Sequence, residues 1–172
     1  MKKAFALLLA LALALTMVAC GGAPASTPAS GSASTPAASV GTTEGDAEYA
    51  VVLKVLSSQF WQSMRDGIEA KAEELGIKVD IYAANTEDDV EGQVSLLENA
   101  ISKGYKAIGV APISNVNLNN AIADATAKGI KIVNIDERVD MDALAELGGA
   151  CCAYVATDNV KVGQMGAEYL IE

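Results

Sequence analysis

Three short segments hold most of the side chains with which this chain can do chemistry: SSQFW at 57–61, PISNVN at 112–117 and DERVD at 136–140. They supply two adjacent rings (Phe60, Trp61), hydroxyls (Ser58, Ser114), an amide (Asn115) and carboxylates (Asp136, Glu137). Trp61 is the chain's one tryptophan and Phe60 one of its two phenylalanines, so their adjacency asks for a reason. Rings beside carboxylates and hydroxyls suit a neutral polyol, whose C–H faces pack on the rings while its hydroxyls donate to the carboxylates. Each hydrogen bond to a charged group contributes about 1.5–3 kcal/mol, enough to separate epimers. Plainer readings stand beside this one: Phe60 or Trp61 as a hydrophobic staple at a helix start, Asp136 as a turn residue.

Other chemistries lack their residues. The chain has no histidine, which removes the commonest general base, the Ser-His and Cys-His nucleophile systems and most zinc sites. The turn after the first strand has no Gly-x-Gly-x-x-Gly, and the chain has no P-loop and no Gly-x-Ser-x-Gly elbow. Bulky Phe60 and Trp61 would keep a pyrophosphate off the helix that follows. Gly163 and Gly166 complete no phosphate motif. The acidic pair of a receiver domain is also missing, because that position reads Ser57-Ser58. Catalysis, a cofactor and a metal are therefore not expected. With 12 basic against 22 acidic residues, a net charge of −10 and no basic cluster, nucleic acid is not an expected partner either. The adjacent Cys151 and Cys152 read as small apolar core residues rather than a strained disulfide.

The elements that must position these residues begin well inside the chain. Residues 1–19 have Lys2 and Lys3, then an Ala/Leu run too short for a membrane span, then small Ala19 before Cys20. This reads as a lipoprotein signal, with Cys20 acylated as the new N-terminus and the protein held on the outer face of a bacterial membrane. The alternative is ordinary secretion with a free Cys20. Residues 20–46 are the lipidated cysteine and a tether of mostly Gly, Ala, Pro, Ser and Thr, a composition that cannot bury enough apolar surface to offset its ordering entropy.

From Tyr49 onward, strand and helix patterns alternate. Strands are expected at 49–56, 77–83, 105–111, 130–135 and 151–157. Helices are expected at 61–75 (face Trp61, Met64, Ile68, Ala72, Leu75) and after Asp89 (face Val90, Val94, Leu97, Ile101), the latter capped by Thr86 with Asp89. A third is marked by Leu118, Ile122 and Ala125, with two more at 141–147 and from Asn159 to the end. Gly76, Gly104 and Gly129 each stand between a helix and the next strand. The pattern predicts an α/β domain, a doubly wound parallel sheet covered on both faces, with flavodoxin-like order 2-1-3-4-5. Ligands of such sheets bind at the carboxyl ends of the strands. Ser58, Phe60, Trp61, Pro112, Ser114, Asn115, Asp136 and Glu137 are thus expected on one rim. Lys54 interrupts the first apolar run, which is costly unless it is paired. Either it reaches an acidic partner toward the cleft, the preferred reading, or it emerges near the strand end.

The segments EYAVVLKVLS with FW, YK-x-I-x-x-AP-x-S-x-VNL, KGI-x-IVN-x-DE with DMD, and TDNV-x-VG with GA are long and collinear. In them the chain from Tyr49 to Glu172 resembles the type I periplasmic binding proteins of sugar ABC transporters, in the ribose/allose group. The resemblance implies two α/β lobes closing on one monosaccharide, with 47–157 as the N-terminal sugar-binding lobe. It implies that 158–172 is the hinge and first helix of a truncated second lobe. Carried over by position, Lys54, Ser58, Phe60, Trp61, Asp136 and Glu137 are the implied sugar contacts. Two departures stand out. Ser58-Gln59 replaces an Asn-Pro pair, so a shorter hydroxyl stands where the family has a bidentate amide. Cys151-Cys152 have no counterpart in the pattern.

The resulting expectation is a non-catalytic, lipid-anchored substrate-binding protein of a bacterial sugar importer, working with an ABC permease outside the cytoplasm. The alternative is a surface-anchored sensory or protein-interaction module built on the same lobe. A DNA-binding repressor sharing the core fold is set aside by the export signal and the acidic charge.

Overall fold

The structure, a computed structural model, describes residues 47–171. The expected leader, the lipidation site Cys20, the tether and Glu172 lie outside the described residues. Five strands alternate with five helices: β1 (Tyr49–Leu53), α1 (Gln59–Leu75), β2 (Val79–Ala83), α2 (Val90–Lys103), β3 (Ala107–Val110), α3 (Asn119–Ala127), β4 (Lys131–Ile135), α4 (Met141–Glu146), β5 (Ala153–Val155) and α5 (Asn159–Ile171). All strand pairs are parallel and the order is β2-β1-β3-β4-β5, as the alternating pattern predicts. In register, Tyr49 lies opposite Val79 on one side and Ala107 on the other.

Alternation along β1 divides the core into two layers. Ala50 and Val52 pack with Leu97 and Ile101 of α2, Ile122 of α3 and Leu144 of α4. Leu53, with half-buried Val51 beside it, packs on the other face with Trp61, Met64 and Ile68 of α1. The expectation of cover on both faces holds fully only for the first layer. Beside α1, an apolar groove of about 330 Å³ stays open, lined among others by Val51, Ile68, Leu75, Gly109, Val133 and Ile135. Helix α5 buries no residue, and its Val160, Met165, Tyr169 and Leu170 are exposed.

The joints form as their glycines predict: Gly76 and Gly104 cap α1 and α2 in the left-handed region, with φ of 64° and 78°. Other expectations need correction. The buried face of α2 is Gln93, Leu96, Leu97, Ala100 and Ile101, while Val90 is exposed. Its cap is Asp89 alone, whose carboxylate accepts from the Gly92 N–H at 2.9 Å; Thr86 contributes its backbone carbonyl to the Asp89 N–H. Cys151 packs partly on the core, but Cys152 is exposed, and both thiols are free. Strand β5 is the reason: it is a short edge strand and all three of its residues are exposed. Burial pushes the Cys151 thiol above its usual pKa, with a further push from Cys152.

A polar group is buried at the amino end of the sheet. Tyr105 donates to Asp80, accepts from Tyr82 at 2.7 Å, and Tyr82 in turn accepts from Lys103 at 3.0 Å. Oδ1 of Asp80 has no hydrogen-bond partner.

Candidate functional site

The carboxyl ends of β1, β3 and β4 lie side by side in the sheet. Strand β1 stops at Leu53, so Lys54 is the first residue past the ladder. Its Nζ reaches 3.7 Å from Oδ2 of Asp136, with the two side chains 16 % and 32 % exposed. Both readings of Lys54 therefore hold together, since it emerges at the strand end and meets its acidic partner there. The same Nζ lies 5.7 Å from the centroid of the Trp61 ring, within cation–π range.

Asp136 takes a left-handed backbone, φ 61°, which a non-glycine residue adopts only where its surroundings hold it. Its N–H donates to the Val155 carbonyl at 2.9 Å, and its carbonyl accepts from the Tyr154 hydroxyl at 2.8 Å. The Arg138 guanidinium sits 4.7 Å over the Tyr154 ring. Buried Asn134 fixes the rest of this loop, donating to the Glu137 carbonyl at 2.7 Å and accepting from the Val139 N–H at 3.0 Å. Exposed Glu137 follows Asp136 along the rim.

The aromatic pair divides its labour. Helix α1 begins at Gln59, earlier than the pattern predicts, so Phe60 and Trp61 are consecutive helical residues about 100° apart around the axis. Trp61 points into the core and is 3 % exposed; Phe60 is 50 % exposed. Their rings meet edge to face, centroids 4.9 Å apart. Trp61, expected on the rim with Phe60, is thus the backing of the rim, and Phe60 is its displayed ring. Ser58 holds the N-cap position with extended φ and ψ (−94°, 136°), yet its hydroxyl makes no capping bond. The preceding loop is pinned by Gln62, whose amide donates to the Leu56 carbonyl at 2.9 Å.

The loop after β3 is turned on itself. Asn117 Oδ1 accepts from the Ser114 N–H at 2.9 Å, and Ser114 Oγ accepts from the Asn117 N–H at 3.2 Å. Pro112 is buried and Asn115 exposed. The Asn115 carbonyl accepts from the Asp140 N–H at 2.7 Å, tying this loop to the one after β4.

The structure thus joins Lys54, Phe60, Trp61 and Asp136 by contact, with Ser58 and Glu137 beside them in the chain. The hydroxyl of Ser114 serves its own loop. Residues that composition did not single out hold the frame: Gln93, Asn134 and Tyr154. Gln93 left a readable signal, because it stands four residues before Leu97 on the apolar stripe of α2. Chemically, the rim offers one ammonium, two carboxylates, a hydroxyl and an aromatic ring, a set suited to orienting hydroxyl groups. Among the described residues no cluster of three or more His, Cys, Asp or Glu side chains is placed to hold a metal ion.

Comparison with known proteins bears on the family and the fold. Residues 49–172 match the family model described as a periplasmic binding protein domain. The chain is 51 % identical over 126 residues to the D-allose-binding periplasmic protein of Escherichia coli, covering 73 % of this chain and 40 % of that protein. It is 32 % identical over 127 residues to the ribose import binding protein RbsB of Bacillus subtilis, covering 73 % of this chain and 39 % of that one. The chain therefore spans about two-fifths of the length of these relatives. A crystal structure of an ABC transporter periplasmic solute binding protein from Actinobacillus succinogenes with bound D-allose superposes with a TM-score of 0.60, at 35 % identity. That superposition covers 64 % of this chain and 38 % of the other. These relatives carry the names of solute-binding proteins, and the superposition shows that this chain shares their fold over the matched part. The chain belongs to the periplasmic binding protein family, in its type I, ribose/allose group.

Proposed function

We propose that this chain is the sugar-recognising lobe of a substrate-binding lipoprotein serving a bacterial sugar ABC importer, with a monosaccharide such as allose or ribose as ligand. The observation that carries the reading is the Lys54–Asp136 pair set beside the Phe60–Trp61 rings at the carboxyl ends of β1 and β4. Phe60 stacks on the C–H face of the sugar, and Trp61 backs it. Asp136 and Glu137 accept from sugar hydroxyls, Lys54 donates to a hydroxyl or ring oxygen, and Ser58 contributes its uncommitted hydroxyl. No bond is made or broken. In the two-lobe arrangement that the resemblance implies, this rim is one wall of a cleft whose closure a membrane permease reads. Residues 47–157 form that wall and 158–172 lead toward the second lobe. Acylation of Cys20 would hold the protein at the outer face of the membrane.

Titration of the chain with D-allose, D-ribose and D-xylose, followed by calorimetry and by Trp61 fluorescence, tests the reading. Saturable binding that Lys54→Met and Asp136→Asn each weaken about tenfold or more, at one charged hydrogen bond apiece, is the expected result. Binding indifferent to both substitutions would remove this rim as the site.

A further inference from the structure

The sugar site proposed above is framed from the far side of the sheet. Gln93 lies on α2, in the layer opposite α1, and is fully buried. Every polar valence of its amide is used. Nε2 donates to the Ala111 carbonyl at 2.8 Å and toward the Leu53 carbonyl at 3.4 Å. Oε1 accepts from the Ile113 N–H and from Asn117 Nδ2, both at 2.9 Å. The partners are not scattered. Leu53 is the last residue of β1 and is bonded to Lys54, Ala111 is the first residue past β3, and Ile113 and Asn117 bracket the rim loop that follows. That loop passes the constraint on, through the Asn115 carbonyl and the Asp140 N–H, to the segment that carries Asp136 and Glu137.

A buried glutamine with four partners on two neighbouring strand ends does more than satisfy a helix. Neither donor nor acceptor has water as an alternative partner, so this one amide, beside the sheet bond from the Ala111 N–H to the Val52 carbonyl at 2.9 Å, holds the loop after β3 to the end of β1. We propose that Gln93 is a positioning residue for sugar recognition: through the second rim loop it fixes where Lys54 stands relative to the loops after β3 and β4. The inference rests on the proposed sugar site for its function, and on the hydrogen-bond network alone for its geometry.

Two measurements on Gln93→Met, which keeps the volume and removes all four bonds, decide it. Amide hydrogen exchange is expected to speed at Ile113 and through 114–117 by about tenfold or more, while amides of β2 and of the last turn of α2 stay protected. Affinity for D-allose is expected to fall about tenfold, for the loss of orientation rather than of any sugar contact. Gln93→Glu adds a signature that packing alone would not give. Its carboxylate opposes two carbonyls at neutral pH, and protonation restores a donor, so its exchange pattern and affinity are expected to recover toward the native ones as pH falls. Asn117→Ala, which cuts the same link from the loop side, is the milder companion should Gln93→Met fail to fold, and is expected to speed Ile113 exchange and weaken binding in the same sense.

Unchanged exchange at Ile113 and unchanged affinity in Gln93→Met, with only a lower melting temperature, would overturn the proposal and leave Gln93 as a satisfied core amide. If the native chain binds none of the sugars, the sugar site itself falls. The exchange of Ile113 then still decides whether Gln93 sets the rim.

Discussion

At the scale of single residues, burial decides what each side chain is free to do. Phe60 and Trp61 are neighbours in sequence, yet one is displayed and the other is core, because a step of about 100° around α1 turns Trp61 toward the sheet and leaves Phe60 facing outward. Tyr105 shows the same principle away from the site. Burial, then its hydrogen bonds to Asp80 and Tyr82, push its phenol far above the usual pKa. The sign of the consequence follows. Below about pH 10 the phenol is neutral in both folded and unfolded chains, and its contribution to stability is whole. Above that, the unfolded phenol ionises while the folded one does not, so stability falls as pH rises. Tyr105→Phe is expected to cost about 1–3 kcal/mol at neutral pH, since Asp80 loses its nearest donor and its Oδ1 already has none. The same variant should lose less stability than the native chain on going above pH 10. Denaturant titration at both pH values checks this; identical pH slopes for the two proteins would contradict it.

At the scale of elements, the start of α2 makes a sharper case. Gly92 is the third residue of this helix, where alanine would ordinarily gain about 0.5–1 kcal/mol. A Cβ there would stand 2.2 Å from Oδ2 of Asp89, the carboxylate that caps the helix. Gly92→Ala is therefore expected to be destabilising or neutral, and Asp89→Ala to cost about 1 kcal/mol. In the Asp89→Ala background, Gly92→Ala should turn stabilising. A thermal-melt double-mutant cycle reads the reversal, and a stabilising Gly92→Ala in the native background would sink it. This helix also shows where the sequence is legible and where it is not. Its place in the chain, its Asp89 cap and its Gly104 terminus follow from local chemistry. Its buried face follows in part: Val94, Leu97 and Ile101 pack on the core as periodicity predicts, but Val90 is exposed and polar Gln93 is buried on the same stripe, where the ends of β1 and β3 and the next loop use its hydrogen bonds. The rim follows the same division. Strand ends and their polar residues are readable from the alternation of elements, which put Ser58, Phe60, Asp136 and Glu137 just past the carboxyl ends of β1 and β4, whereas Lys54, expected inside the first strand, stands just beyond it. The left-handed turn at Asp136 and its clamp by Tyr154 depend on a contact between two separate segments, which no local pattern contains.

At the scale of the molecule, the two layers of the sheet differ in purpose. The layer of α2, α3 and α4 is closed and carries the main core. The α1 layer keeps an open apolar groove, and α5 buries none of its residues. The polar rim is displayed at one end of the sheet, and the buried Asp80–Tyr105 pair is at the other, so the exposed and the buried polar groups are kept apart. The acidic balance, net −10, keeps the surface suited to neutral ligands rather than polyanions. If the carboxyl edge of this sheet recognises a sugar, as proposed, its residues must respond to one. Chemical-shift mapping of the isotopically labelled chain during titration with D-allose tests it most directly, because it registers weak binding and locates it. Saturable shifts are expected in residues 54–61, 113–117 and 136–139 and are expected to be absent from the groove beside α1. Shifts centred on that groove, or none up to the solubility limit of the sugar, would contradict it.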